Sequence, residues 1–167
     1  MPVNPIQSPF DEFQAQIVPE WIDFNGHFSA GFYAVVFDEA IVSFLSFLGL
    51  TQEHRKKYNV TTYGLESHIT YENELILNDP IRITGQLLDH DAKRLHGIQM
   101  MYHAETNKLA ATRELLSIHI DRSKRRSAPM EPELLERVTA VQRAHNALPR
   151  PSQVGRTISI KSGPPSS

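Results

Sequence analysis

Residues 21–27 read Trp-Ile-Asp-Phe-Asn-Gly-His, so the carboxylate of Asp23 stands three residues before Gly26 and four before His27. An apolar helical pattern starts directly afterwards, near Ser29. An acid and the positive end of a helix dipole therefore share one spot, a layout that suits acyl chemistry. The unpaired N–H groups of the helix start, around Ser29, Ala30 and Gly31, with Gly26 in the turn ahead of them, would face a developing oxyanion. The competing reading is that Asp23 only caps a turn. His27 either orients substrate or shares a proton with the carboxylate, or it bonds backbone beside the turn.

Further chemistry-bearing residues lie downstream. Glu66 and His68 alternate onto one face of a strand pattern and would line a pocket there or simply be solvated. Glu114 is in phase with Leu116, Ile118 and Ile120, which would point a carboxylate at the apolar side unless the strand is bulged. Lys93 and Arg94, together with Arg122, Lys124, Arg125 and Arg126, form the basic groups. They read as solvated loops or as an anchor for the phosphates of a nucleotide-bearing substrate. The eight histidines show no recognised ligand spacing, so no metal is expected. With no cysteine there is no thiolate nucleophile and no disulfide framework.

These residues need a scaffold, and 167 residues suffice for one domain with its own core. We expect an irregular lead-in over 1–12, a single domain over 13–145 and a poorly ordered, proline- and serine-rich tail over 146–167. A first strand is expected over 13–19. Tyr33, Val36, Phe37, Ala40, Phe44, Phe47 and Leu48 then recur at helical spacing, with Ser29 as N-cap and Gly49 as C-terminal cap. Phe32, Ile41 and Leu45 lie off that stripe, which predicts a helix buried on most sides. After a polar connector, 51–59, four strands are expected at 60–71, 80–88, 94–104 and 109–121. In the first of them Tyr63, Leu65, Ser67, Ile69 and Tyr71 would share one face. Short connections between the strands favour antiparallel pairing. Residues 131–145 read as a second, mostly polar helix that packs outside or on a partner. The class is α+β, a curved antiparallel sheet wrapped around one long central helix.

Asp38 and Glu39 in the middle of the apolar stretch argue against a membrane span, and the N-terminus lacks a signal-peptide pattern. With 17 basic against 19 acidic residues, the strong positive excess of a nucleic-acid binder is missing. A soluble cytoplasmic protein is expected.

The sequence resembles hotdog-fold acyl-CoA thioesterases of the 4-hydroxybenzoyl-CoA thioesterase-like group over residues 13–121, in which an Asp stands three residues before a glycine that precedes the central helix. The resemblance implies that Asp23 is catalytic, as nucleophile or as general base for water, with no cofactor beyond the coenzyme A of the substrate. A narrower likeness lies in Leu65 to Tyr71, in Leu87 to His96, and in Ala111 to Glu114 with His119. It is similar to thioesterases associated with carnitine breakdown, which implies a betainyl thioester. Its trimethylammonium group would be held by Trp21, Phe24, Tyr33 and Tyr63 unless these are core, with Glu114 as a carboxylate that could serve it. The chain departs from many relatives in carrying Ser29 where they have asparagine. Unpaired sheet edges, and the resemblance, imply a homodimer or higher homo-oligomer. Two other readings stay open: a hydratase or dehydratase of the same fold, and a non-catalytic acyl-CoA-binding protein.

Overall fold

The computed structural model describes residues 5–160, so the expectations for 1–4 and 161–167 lie outside it. Six strands form one antiparallel sheet: β1 (Phe10–Gln16), β2 (Val60–Tyr71), β3 (Pro80–His90), β4 (Arg94–His103), β5 (Leu109–Asp121) and the short β6 (Arg126–Ser127). Their order is β1-β3-β4-β5-β2, with β6 paired to β5. Among the described residues there are also three α-helices, α1 (Ala30–Phe47), α2 (Gln52–Tyr58) and α3 (Pro132–His145), and a short 3-10 turn at Pro19–Trp21. The tight connections rest on residues that tolerate left-handed backbone, Asn78 at φ 69° and Asn107 at φ 58°.

The sheet curls around α1. Tyr33, Val36, Phe37 and Ala40 pack on Ile81, Ile83, Met101 and Ala111, while Phe44, Leu45 and Leu48 meet Leu87 and Leu95 nearer the other end. Close approach is possible because β3 offers no side chain at Gly85, where a Cβ would stand 2.8 Å from the Phe44 ring. The helix is long and apolar enough to cross a membrane by length and composition alone. Here one face lies on the sheet and the other is open, with Val35 and Val42 45% and 61% exposed. Burial on most sides is therefore not reached within one chain.

Halfway along α1, the buried Arg113 donates through Nη2 to the carbonyl of Phe37 at 3.0 Å and through Nη1 to Asp38. Gln99 accepts from Arg113 Nε at 2.9 Å and donates to the same Phe37 carbonyl at 3.1 Å. Burial pulls the Arg113 pKa down, and Asp38 opposes that shift.

Several expectations need correction. The first strand begins at Phe10 rather than at 13, because Phe10 is buried against Phe44 and Phe47. The polar connector is the helix α2, capped by the Thr51 side chain and ended by Asn59 at φ 55°. It has no buried residue, hence no apolar stripe to betray it. The second helix does not pack outside: Leu134, Val138 and Val141 are fully buried beside α1. At its end His145 accepts from the Leu87 N–H through Nδ1 at 2.9 Å and donates through Nε2 to Gln7. The tail is held to the outer face of the sheet as far as it is described. Gln86 donates to the carbonyl of Pro149, the Gly155 N–H donates to Glu114 at 2.8 Å, and Arg156 pairs with Glu72 at 3.6 Å.

Candidate active site

Asp23 sits in a turn that its own carboxylate closes. Its Oδ1 accepts from the N–H groups of Asn25 at 2.8 Å and His27 at 3.3 Å, and its carbonyl accepts from Gly26 N–H at 3.0 Å. Gly26 holds φ at 80°, the left-handed region that a glycine adopts without strain. So the capping reading is correct as far as it goes, yet it occupies one oxygen only. Oδ2 makes no hydrogen bond to the described residues and is free to attack or to take a proton.

The loop is stitched to the connection after β2. The Phe28 N–H donates to Leu75 O at 2.8 Å, His27 bridges to Ile76, and His27 Nε2 lies 3.1 Å from Glu74. His27 therefore faces Glu74, while its backbone faces Asp23. At the helix start, the Ser29 N–H is already donated to Trp21 O at 2.9 Å, so it cannot serve an oxyanion, and its hydroxyl makes no cap. That leaves Ala30 and Gly31, whose N–H groups have no intrahelical acceptor. Space beside Gly31 is open.

The expected aromatic wall is only partly present. Tyr33 is buried and stands against Phe28 and Tyr71, ring centroids 4.2 and 5.1 Å away. Trp21 packs on Phe28 and Phe32. Phe24 is 97% exposed at the loop tip and walls nothing among the described residues. Tyr63 does not belong with them: a bulge at Leu65 breaks the expected alternation, so Tyr63 pairs with Ile118 on the outer face, eight residues up β2 from Tyr71. Two residues that the sequence reading passed over, Tyr71 and Glu74, do border the loop. The only signal for Tyr71 was its shared strand face with Ile69.

Glu66, His68, Arg94 and Glu114 line a separate open pocket of about 940 Å³ on the outer face. The helix-facing side of β5 carries Arg113 instead, so Glu114 points away from the apolar core although β5 runs without a break in register from Arg113 to Ile118. It is bound by His96 Nε2 at 2.7 Å and by the Gly155 N–H of the tail. The basic residues gather where β5 ends. Arg94 is tied to Asp91 and Lys124 to Asp121. The N–H of Lys93 and the Arg94 side chain hold Asp91 at a pKa of about 2, and the Ser123 hydroxyl with the Lys124 N–H does the same for Asp121. Lys93, Arg122, Arg125 and Arg126 have no carboxylate partner among the described residues. Among those residues no three His, Asp or Glu side chains are grouped to hold a metal ion.

The sheet curled around its helix is matched by comparison with known proteins. Residues 17–138 fit the thioesterase-like superfamily. The chain belongs to that superfamily. This thioesterase is 35% identical to the betainyl-CoA thioesterase of Pseudomonas aeruginosa over 89% of its own length and 93% of the relative's. It is 30% identical to the L-carnitine dehydrogenase/betainyl-CoA thioesterase of a Rhizobium species over 92% of its length, covering 31% of that longer protein. A Staphylococcus aureus protein solved in complex with CoA superposes with a TM-score of 0.85 at 28% identity, over 95% of this chain and 99% of that one. The DHNA-CoA thioesterase of the same species shares the fold, with a TM-score of 0.75 at 17% identity over 84% and 95% of the two chains. The thioesterase is a hotdog-fold thioester hydrolase.

Proposed function

We propose that this thioesterase hydrolyses betainyl-CoA or an acyl-CoA equally short and cationic, with Asp23 as the catalytic carboxylate. The observation that carries the reading is the free Oδ2 of Asp23, fixed by its own turn ahead of the open N–H groups of Ala30 and Gly31. Oδ2 attacks the thioester carbon directly or removes a proton from the attacking water, and the helix-start N–H groups receive the charge that builds on the carbonyl oxygen. The name of the Pseudomonas relative supports the cationic acyl group.

The test is release of free CoA from a panel of esters. Asp23→Asn should cut turnover about a hundredfold or more while the melting temperature holds, since a positioned base or nucleophile contributes at least that much. Full turnover by Asp23→Asn would remove the residue from the mechanism. Hydration of an unsaturated ester, or binding with no release from any ester, would replace hydrolysis with one of the competing activities.

We also propose a two-fold dimer through the free edge of β2. That edge is twelve residues long and displays Tyr63, Leu65 and Tyr71, each more than half exposed. An unpaired strand of this kind is a template for a second copy. Asp23 lies at the Tyr71 end, whereas Arg122 N–H bonds Asn59 at the Val60 end, about 36 Å away at the usual strand rise. Antiparallel pairing of two β2 edges brings one protomer's Val60 end beside its partner's Tyr71 end. The basic residues then reach a phosphate-bearing substrate only across the dimer.

A further inference from the structure

An acyl group that ends in a quaternary ammonium has no N–H to donate, so it is recognised by ring faces and by a carboxylate. The betainyl group is also short: one methylene separates its carbonyl carbon from its nitrogen. Whatever holds the cation must therefore adjoin whatever holds the carbonyl oxygen. This geometry excludes most aromatic residues of the chain. Trp21 is spent on packing, Phe24 projects from a loop tip, and Tyr63 lies far up β2.

One corner meets the requirement. The Tyr71 hydroxyl donates to the carbonyl of Ala30, the first residue of α1, at 3.4 Å. Its ring stands edge to face with that of Tyr33, centroids 5.1 Å apart at 87°, and Tyr71 is 54% exposed. Glu74 follows three residues later, with His27 at 3.1 Å and most of its side chain open to solvent. Burial, then Tyr71, then Glu74 push the Tyr33 hydroxyl up to about 12.

We infer that Tyr71 and Glu74, with Tyr33 holding the Tyr71 ring in place, form the subsite for a quaternary ammonium on the acyl group, and so set the choice between cationic and neutral acyl thioesters. The inference rests on the proposed hydrolysis of a short cationic acyl-CoA. Tyr71 supplies the exposed ring, the buried Tyr33 backs it edge to face, and Glu74 supplies the countercharge. Among the aromatic side chains, Tyr71 is the one that hydrogen-bonds the helix start itself.

The experiment compares betainyl-CoA with tert-butylacetyl-CoA, which has the same shape and no charge. The kcat/KM ratio of the two is measured for the wild type, Tyr71→Leu, Tyr71→Phe and Glu74→Gln. The wild type should favour the cationic ester, and Tyr71→Leu and Glu74→Gln should each lower the ratio about tenfold, in the range of a desolvated cation–ring or ion-pair contact. Tyr71→Phe keeps the ring face and should keep the ratio. A merely structural role for these residues would lower both esters together and leave the ratio fixed, which would overturn the subsite while hydrolysis stands. A wild type that turns over both esters alike has the same meaning. Release from neither ester would instead overturn the hydrolase reading on which the subsite rests.

Discussion

At the scale of single residues, the candidate site depends on a division of labour within one carboxylate. Oδ1 of Asp23 is committed to the turn, and Oδ2 is left for chemistry. The turn needs Gly26 at φ 80°, although nothing stands within 4 Å of where its Cβ would be. The cost of a side chain there is thus backbone strain alone. Gly26→Ala should lower stability by about 1–2 kcal/mol, whereas Gly31→Ala, in the first turn of α1 and equally uncrowded, should raise it by about 0.5–1 kcal/mol. Thermal or denaturant unfolding of the two variants checks the contrast, and equal effects would show that the turn does not require its left-handed residue. The sequence made the importance of this segment readable through the order of acid, glycine and helix. It could not tell which N–H groups remain open, because the one at Ser29 is consumed by Trp21, a contact that no spacing rule announces.

At the scale of elements, strands and the long helix were legible because turn residues and periodicity agree. β2 and β5 occupy the spans expected from pattern alone. What escaped has physical reasons. α2 buries nothing, so its helix is made by the Thr51 cap and the left-handed Asn59 rather than by an apolar face. The bulge at Leu65 leaves residue types on both sides of β2 compatible with either register. The tail is fastened through the Pro149 carbonyl and the Gly155 N–H, and backbone groups carry no residue code. α3 yields a pH prediction. Its His145 must keep Nδ1 unprotonated to accept from Leu87, and burial lowers its pKa from 6.5 against a smaller opposing bond to Gln7. A lowered imidazole pKa means stability that is complete above 6.5 and is lost as the pH falls through the folded-state value. The melting temperature should fall below that pH, and His145→Asn should flatten the dependence while lowering the plateau. An unchanged slope in the variant would remove His145 as its source.

For the whole molecule, the question is whether a single chain contains a complete site. Asp23 and the cations Lys93, Arg122, Arg125 and Arg126, which pair with no carboxylate among the described residues, lie toward opposite ends of the sheet, which an antiparallel dimer would reconcile. Mixing Asp23→Asn protomers with protomers in which Arg122, Arg125 and Arg126 are reversed to Glu decides the matter. Each parent should be weak at low substrate, and mixed dimers should recover activity, because one of their two sites receives both native halves. No recovery after verified subunit exchange would place the phosphates on cations of the same chain, or on none.

The contact of Arg113 and Gln99 with the Phe37 carbonyl has a mechanical meaning. A smooth apolar helix in an apolar trough has little to stop it from sliding lengthwise, and one residue of slip would carry Ala30 and Gly31 by 1.5 Å, enough to take their N–H groups out of register with a carbonyl oxygen. Two side chains anchored in neighbouring strands grip one carbonyl two turns inside α1. The position of the helix tip along its own axis is therefore indexed from its middle, by two buried side chains.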